Sequence, residues 1–238
     1  MFTVVRNFFL DILFPSVCVQ CGEIGTAFCQ TCLKNIEPVE FQCVGCGDRN
    51  KDGKTCAYCR RKGLVLTRVI WASRYEDDLI KDAISAFKYK RRKDLALPLA
   101  NLASNRLEML FKTSPIHKNK NFLLLPVPLH SKRERERGYN QAELLAREIS
   151  KQRGIPIAPH NLLKRIIHTN PQAQTKTRKN RLANVANAFA VNNTYPIQDK
   201  IIILVDDITT TGATLNSAAK TLKTAGAKGV WGLVVARG

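Results

Sequence analysis

The sequence predicts an α/β protein built on a doubly wound, mainly parallel sheet, with a small cysteine-rich module ahead of it. Three observations carry that expectation. From Thr67 onward, apolar runs of strand length alternate with stretches of helical periodicity. One of those runs, Ile201 to Val205, is aliphatic without interruption, as a strand buried on both faces requires. All eight cysteines fall between Cys18 and Cys59, in four C-x-x-C pairs, and the composition changes after Lys62. The chain has 238 residues, 45% of them hydrophobic, which suffices for one sizeable domain plus a small module. The expected organisation is a short apolar helix over 1–15, a double metal-binding module over 16–62 and the α/β domain over 63–238.

The most informative stretch is IIILVDDITTTGAT, Ile201 to Thr214. After the apolar run come Asp206 and Asp207, then a loop of Thr209, Thr210, Thr211 and Gly212. Leu215, Ala218, Ala219 and Leu222 then follow at i, i+3, i+4 and i+7, one face of a helix, with Gly226 placed to cap its end. Open α/β sheets bind ligands beyond the carboxyl ends of their strands. The loop therefore meets a helix N-terminus, whose N–H groups and dipole favour an anion such as phosphate. Hydroxyls of Thr210, Thr211 and Thr214 add donors, and Gly212 lets the backbone come close. The two acids can accept hydrogen bonds from sugar hydroxyls or hold Mg²⁺ through water. The pattern describes a cradle for a phosphorylated sugar; the plainer alternative is a strand-turn-helix with a capping Asp.

Cys18/Cys21, Cys29/Cys32, Cys43/Cys46 and Cys56/Cys59 read as zinc knuckles. A two-residue spacer turns both thiolates of a pair toward one ion, and two pairs complete a tetrahedral four-cysteine site, so eight ligands hold two structural zinc ions. Gly22, Gly45 and Gly47 suit the tight turns beside the sulfurs. Disulfides would call for export, and a single redox C-x-x-C would not need four copies. Sequential pairing gives the shorter loops and is expected, with interleaving as the alternative.

Along the remainder, Thr67 to Arg74 has strand propensity, and Leu79, Ile80, Ala83, Ile84 and Phe87 share a helical face. The basic run that follows, with Lys88, Lys90, Arg91 and Arg92, suits either a helix C-terminus or a phosphate-binding patch. Leu95 to Leu110 continues as a second helix. Phe122 to Leu125 is a buried strand that Pro126 and Pro128 open into a loop. That loop, SKRERERGYNQAE from Ser131 to Glu143, carries Lys132, Arg133 and Arg137, and Asn140 with Glu143 forms a capping box for the next helix. The stretch from Ile166 to Arg181, with Lys176, Arg178 and Lys179, reads as a mobile lid, a DNA-contacting arm or an exposed connector. Gly229 to Ala236 is the last strand.

Lys and Arg number 38 against 19 Asp and Glu, a formal net charge of +19 that favours polyanionic partners, nucleic acid among them. The opening MFTVVRNFFLDILFP is broken by Arg6, Asp11 and Pro15. It lacks the layout of a signal peptide and falls short of the ~20 residues of a membrane span. A cytoplasmic location without a stable membrane span follows as an expectation.

Ile201 to Thr214 resembles the phosphoribosyl pyrophosphate (PRPP) motif of type I phosphoribosyltransferases: apolar strand, two acids, then a T-x-G-x-T-like loop. That resemblance implies that Asp206 and Asp207 engage the ribose hydroxyls, that Thr209, Thr210, Thr211, Gly212, Ala213 and Thr214 hold the 5′-phosphate, and that Mg²⁺ accompanies PRPP. It also implies that the loop with Lys132, Arg133 and Arg137 binds pyrophosphate. Taken together, PVPLHSKRERERGYNQAELLA, Thr169 with Gln172 to Asn184, LVDDITTTGAT and the four knuckles resemble the ComF family of competence-related proteins, also called amidophosphoribosyltransferase-like. The resemblance implies a phosphoribosyltransferase-like fold, an N-terminal zinc ribbon and the handling of internalised single-stranded DNA in natural transformation, with other competence or recombination proteins as partners.

Two functions stay open at this point. One is a ComF-type protein that binds PRPP and Mg²⁺ and contacts single-stranded DNA through its ribbons and basic segments, Lys88, Lys90, Arg91, Arg92, Lys176, Arg178 and Lys179 included. Tyr58 and Tyr89 are candidates to stack bases. The other is an active phosphoribosyltransferase acting on an unidentified base or amine, in which Asp206 and Asp207 are catalytic and stabilise an oxocarbenium-like centre. A hood for the acceptor is expected to come from the N-terminal side. With every cysteine paired as a ligand candidate, none is left as an amidotransferase nucleophile.

Overall fold

Aliphatic strands buried on both faces need helices over each of them, and that requirement organises this chain. The computed structural model describes residues 15–113, 121–167, 188–192 and 195–238. Outside them lie the expected N-terminal helix, apart from Pro15, and Lys176, Arg178 and Lys179. The elements are helices α1 (Gln30–Lys34) and α2 (Ala57–Arg61), strand β1 (Arg68–Arg74), α3 (Asp78–Tyr89), a 3-10 turn (Lys93–Leu95) and α4 (Ala96–Thr113). There follow β2 (Phe122–Pro126), α5 (Ser131–Arg137), α6 (Gln141–Arg153), the short strands β3 (Leu163–Arg165) and β4 (Phe189–Val191), β5 (Ile201–Thr209), α7 (Ala213–Thr224) and β6 (Gly229–Arg237).

The main sheet is parallel throughout, in the order β1-β6-β5-β2, and β3 and β4 form a separate antiparallel pair. Side chains alternate between its faces as the pleat dictates. Ile70, Leu124, Ile203, Val205, Trp231, Leu233 and Val235 pack against α3, α4 and α6. Val69, Trp71, Leu123, Leu125, Ile202, Leu204, Val230 and Val234 pack against α7 and the β3/β4 pair. The adjacent strands β2 and β5 thus send their following helices to opposite faces. Between such strands a crevice opens at the carboxyl edge.

The ladders end at different points. β2 and β5 pair only as far as Pro126 and Val205, whereas β5 and β6 stay paired through Thr209 and Arg237. Asp206, Asp207 and Thr209, expected at the strand end or in the loop, therefore lie within a strand that outruns one neighbour. A second expectation is corrected in the stretch after β2. Residues 131–137 are helical, started by His130, whose Nδ1 accepts the Lys132 N–H, and stopped at Gly138 in the left-handed conformation (φ 79°). Lys, Arg and Glu are good helix formers, but a turn of helix with no buried residue leaves no apolar period to read.

The cysteine module is an internal repeat. In each half, a C-x-x-C turn closed by a short bridge (Val17 with Ile24, Gln42 with Arg49) faces a helix whose N-cap is itself a cysteine, Cys29 for α1 and Cys56 for α2. The first half joins the core on the α3/α4 side through Cys18, Phe28, Cys29 and Cys32, and Phe41 of the second half reaches the same side. The second half joins the α7 side through Val39 and Val44.

Arg68 binds the second half to the sheet. Its side chain is 2% exposed, lies over the Trp231 ring at 4.3 Å, donates to the Asp52 carbonyl at 2.9 Å and pairs with the Asp52 carboxylate at 3.4 Å. Removing one partner of a buried pair strands the other charge. Asp52→Ala is expected to destabilise the protein by about 3 kcal/mol in urea unfolding. Arg68→Met, which leaves the Asp52 carboxylate its partner Lys54 at 3.2 Å, should cost clearly less; the reverse order would refute this reading.

Candidate functional site

Two constellations concentrate the chemistry, one of sulfur and one at the carboxyl edge of the sheet. The cysteines gather as Cys18/Cys21/Cys29/Cys32 and Cys43/Cys46/Cys56/Cys59, the four sulfurs of each group within 4.8 Å of one another. The pairing is sequential. Cys21 and Cys29 sulfurs lie 3.6 Å apart, and Cys46 and Cys56 sulfurs 3.7 Å. Zn–S bonds of about 2.3 Å place tetrahedral sulfurs about 3.8 Å apart, so the spacing fits zinc. Backbone N–H groups point at the sulfurs, Cys32 at Cys29, Cys59 at Cys56 and Cys56 at Cys43, each at 3.4 Å. Burial works against the Cys18 thiolate, yet the surrounding N–H groups outweigh it and bring the thiol down to about 6. Cys43 is brought down in the same way to about 7. Gly45 is required here: a Cβ on it would stand 2.6 Å from the Cys59 sulfur.

At the sheet edge, Asp206 is partly exposed and Asp207 buried. The Asp207 N–H donates to the Asp206 carboxylate at 2.9 Å. Although Asp206 keeps some contact with solvent, burial, and after it the neighbouring Asp207, push its carboxyl up to about 7; Lys88 and Arg165 pull the other way. Lys88 Nζ sits 2.8 Å from the Asp207 carboxylate. Next along the chain, α7 opens at Gly212 (φ 74°) with no side-chain cap, and the Thr211 hydroxyl accepts the Ala213 N–H at 3.4 Å. A helix start arranged in this way offers its first-turn donors to an anion.

Basic side chains converge on the acids from separate elements. Arg133 on α5 is half-buried; burial, then Arg137, disfavours its charged form. Arg165 at the end of β3 is also half-buried, and burial and then Arg133 act on it while Asp206 opposes them. Of the expected pyrophosphate residues, Arg133 is within electrostatic reach of Arg165 and of Arg137, and Lys132 is exposed. Arg165 escaped the sequence reading, because nothing in LLKRII marks one arginine as facing an acid 41 positions later. Of the basic run that begins in the last turn of α3, Lys88 pairs with Asp207 and Arg92 with Asp94 at 2.7 Å, while Lys90 and Arg91 are exposed.

The cysteine module also reaches this site. Gly212 holds a left-handed conformation directly under Val44, whose Cγ2 would lie 3.0 Å from a Cβ at that position. Val44 itself sits between the ligand candidates Cys43 and Cys46. On α7, the Asn216 side chain accepts the Val65 N–H at 2.8 Å and donates to the Gly63 carbonyl at 3.2 Å, and Arg237 donates to Gln42 at 3.1 Å. The second cysteine cluster is therefore packed onto the phosphate-sized loop.

Comparison with known proteins agrees with this geometry. The phosphoribosyl transferase domain family matches residues 135–237, from the end of α5 through β6. The chain is 31% identical to "Competence protein F" of Haemophilus influenzae over 226 residues, 91% of this chain and 95% of that protein. It is 30% identical to "Competence protein ComFC" of Bacillus subtilis over 228 residues, 87% of this chain and 88% of that protein. It is 26% identical to "DNA utilization protein YhgH" of Escherichia coli over 235 residues, 91% and 94% of the two chains. Among the described residues no helix is long and apolar enough to cross a membrane. With an N-terminal pair of four-cysteine clusters, a phosphoribosyl transferase domain and relatives matched over nearly their whole length, the chain belongs to the ComF family of competence proteins.

Proposed function

We propose that this protein binds PRPP with Mg²⁺ at the β2/β5 crevice and handles single-stranded DNA in DNA uptake and natural transformation, in the cytoplasm and beside other competence or recombination proteins. The observation that carries the reading is the meeting of an acid pair, Lys88 of α3 and Arg165 of β3 beside a helix start without a side-chain cap, with Arg133 of α5 acting on Arg165. In this reading Asp206 and Asp207 accept hydrogen bonds from the ribose hydroxyls, Thr210, Thr211, Gly212, Ala213 and Thr214 line the 5′-phosphate, and Thr209 ends the strand that presents them. Lys132, Arg133 and Arg137 face the pyrophosphate. Magnesium bound with PRPP would neutralise phosphate charge beside the acids. Residues 16–62 act as a double zinc ribbon, both ions structural, on the phosphoribosyltransferase-like domain of 63–238.

The names of the relatives, competence and DNA utilization, support the DNA assignment, as does the formal charge of +19. So does the surface. Tyr89 is 72% exposed with the Arg137 guanidinium 5.4 Å from its ring centroid, and Tyr58 is 58% exposed with Lys62 at 5.7 Å. Aromatic faces flanked by cations suit unpaired bases. The deciding experiment is titration of the zinc-loaded protein with PRPP and Mg²⁺, with and without single-stranded DNA, while pyrophosphate is assayed. Binding without release supports a ligand-binding DNA-handling protein. Release that depends on DNA or an added base makes it a phosphoribosyltransferase and names the acceptor class; no binding refutes the reading.

Three further outcomes are expected. The folded-state value for Asp206 lies above the ordinary carboxyl value, so its stabilising contribution is complete below about pH 4 and lost as pH rises through about 7. Asp206→Asn should accordingly raise the melting temperature more at pH 8 than at pH 5 while abolishing PRPP binding; an equal shift at both pH values would contradict the burial argument. In the DNA assay, replacing Lys90 and Arg91 together by Ala should weaken single-stranded DNA binding. It should also flatten the dependence of log affinity on log salt by about 1.4, at about 0.7 per lost phosphate contact. Finally, Cys46→Ser should lower both stability and PRPP affinity, the latter by tenfold or more. Cys21→Ser, in the cluster away from Gly212, should lower stability with less effect on affinity, and calorimetry separates the two.

A further inference from the structure

Lys88 stands in the last turn of α3, where a basic residue ordinarily complements the helix dipole from the surface. This one is turned inward instead. Its side chain is 15% exposed and that of Asp207 6%, and the ammonium is 2.8 Å from the carboxylate. The helix end that carries it is fastened in place. The Tyr139 hydroxyl donates to the Phe87 carbonyl, the Phe87 and Tyr139 rings lie 5.8 Å apart, and Lys93 covers the Tyr139 ring at 5.0 Å. Tyr139 follows α5 directly. The helix end that carries the ammonium is thereby fixed to the segment after α5, and the ammonium itself to Asp207 of β5.

Two carboxylates side by side in a half-buried crevice need a positive partner, and a ligand that uses them must take that partner's place. The charged groups facing the pair are Lys88 from α3 and Arg165 from β3, both of which favour the ionised form of Asp206. Arg165 also lies under the influence of Arg133. Lys88 is thus the group that already occupies the Asp207 carboxylate.

Resting on the sugar-phosphate reading of this crevice, we propose that Lys88 is its resident counter-cation. Its ammonium holds Asp207 in the ligand-free protein, competes there with divalent metal, and swings to a phosphate oxygen when ribose hydroxyls claim the carboxylate. No bond is made or broken; one ion pair replaces another. A site built in this way binds free divalent cations poorly and accepts them only together with an anion that recruits the lysine.

The test uses full-length, zinc-loaded protein and Mn²⁺ alone as the probe, followed by electron paramagnetic resonance. Lys88→Met should bind Mn²⁺ at least tenfold more tightly than wild type, Lys88→Arg should behave as wild type, and Lys88→Met with Asp207→Asn should lose the gain. Equal Mn²⁺ affinity in wild type and Lys88→Met overturns the proposal. A second measurement needs no variant. In ¹⁵N-lysine-labelled wild type, the slowly exchanging Lys88 ammonium signal should shift on addition of Mg²⁺ and pyrophosphate, and a signal that stays unchanged once pyrophosphate is bound overturns the exchange of partners. PRPP binding is read separately. A Mn²⁺ gain without PRPP binding in any protein keeps the Lys88 assignment and removes the sugar-phosphate reading, whereas PRPP binding without a Mn²⁺ difference does the opposite.

Discussion

The unequal length of two ladders is the constraint on which the site depends. β5 is paired on both sides as far as Val205, and beyond it only with β6, because β2 leaves the sheet at Pro126. Val127 makes one last bond to the Val205 carbonyl before the chain turns away. The next residues of β5 are Asp206 and Asp207. They are held as rigidly as a strand holds any residue, yet one side of their backbone faces a crevice instead of a neighbour. A catalytic or binding group placed on a strand in this manner is better defined than one on a loop.

Everything else converges on that opening. Since β2 and β5 send their helices to opposite faces, α5 and α6 approach from one side and α7 from the other, with the β3/β4 pair adding Arg165. The acid pair would be costly to leave alone at this depth, and burial raises the Asp206 carboxyl to about 7. Lys88, paired with Asp207 at 2.8 Å, and Arg165 offset that penalty without removing it. Burial therefore acts against the ionised form of Asp206 while the neighbouring cations act for it.

The ribbon module is joined to this arrangement more closely than its separate composition suggests. Each half is a turn and a short helix that cannot bury an adequate core unaided, so docking on the domain, with any metal that the four cysteines hold, must supply the rest. The first half docks beside α3 and α4, with Arg92 donating to the Val17 carbonyl at 3.0 Å. The second is packed onto Gly212 and Asn216. A four-cysteine cluster thereby becomes one wall of the phosphate-sized loop, and its folding and the geometry of the loop are physically linked.

Much of this was readable from local pattern. Ile201 to Val205, the acids, Gly212 and the periodicity of α7 are contiguous, so short-range rules of strand, cap and helix suffice to place them. The C-x-x-C pairs declared their ligands through spacing, and short loops favoured the sequential pairing that the sulfur positions show. What escaped was of two kinds. α5 has no apolar face, so its helix carried no period, and Gly138 was its one visible stop. Lys88, Arg165 and Val44 are separated from the acids and from Gly212 by many tens of residues, and their roles come from which side of a packed sheet each element occupies. Periodicity tells which face of a helix is buried, but an ion pair such as Lys88 with Asp207 depends on the distance between two elements. That distance is set by the packing of the whole core.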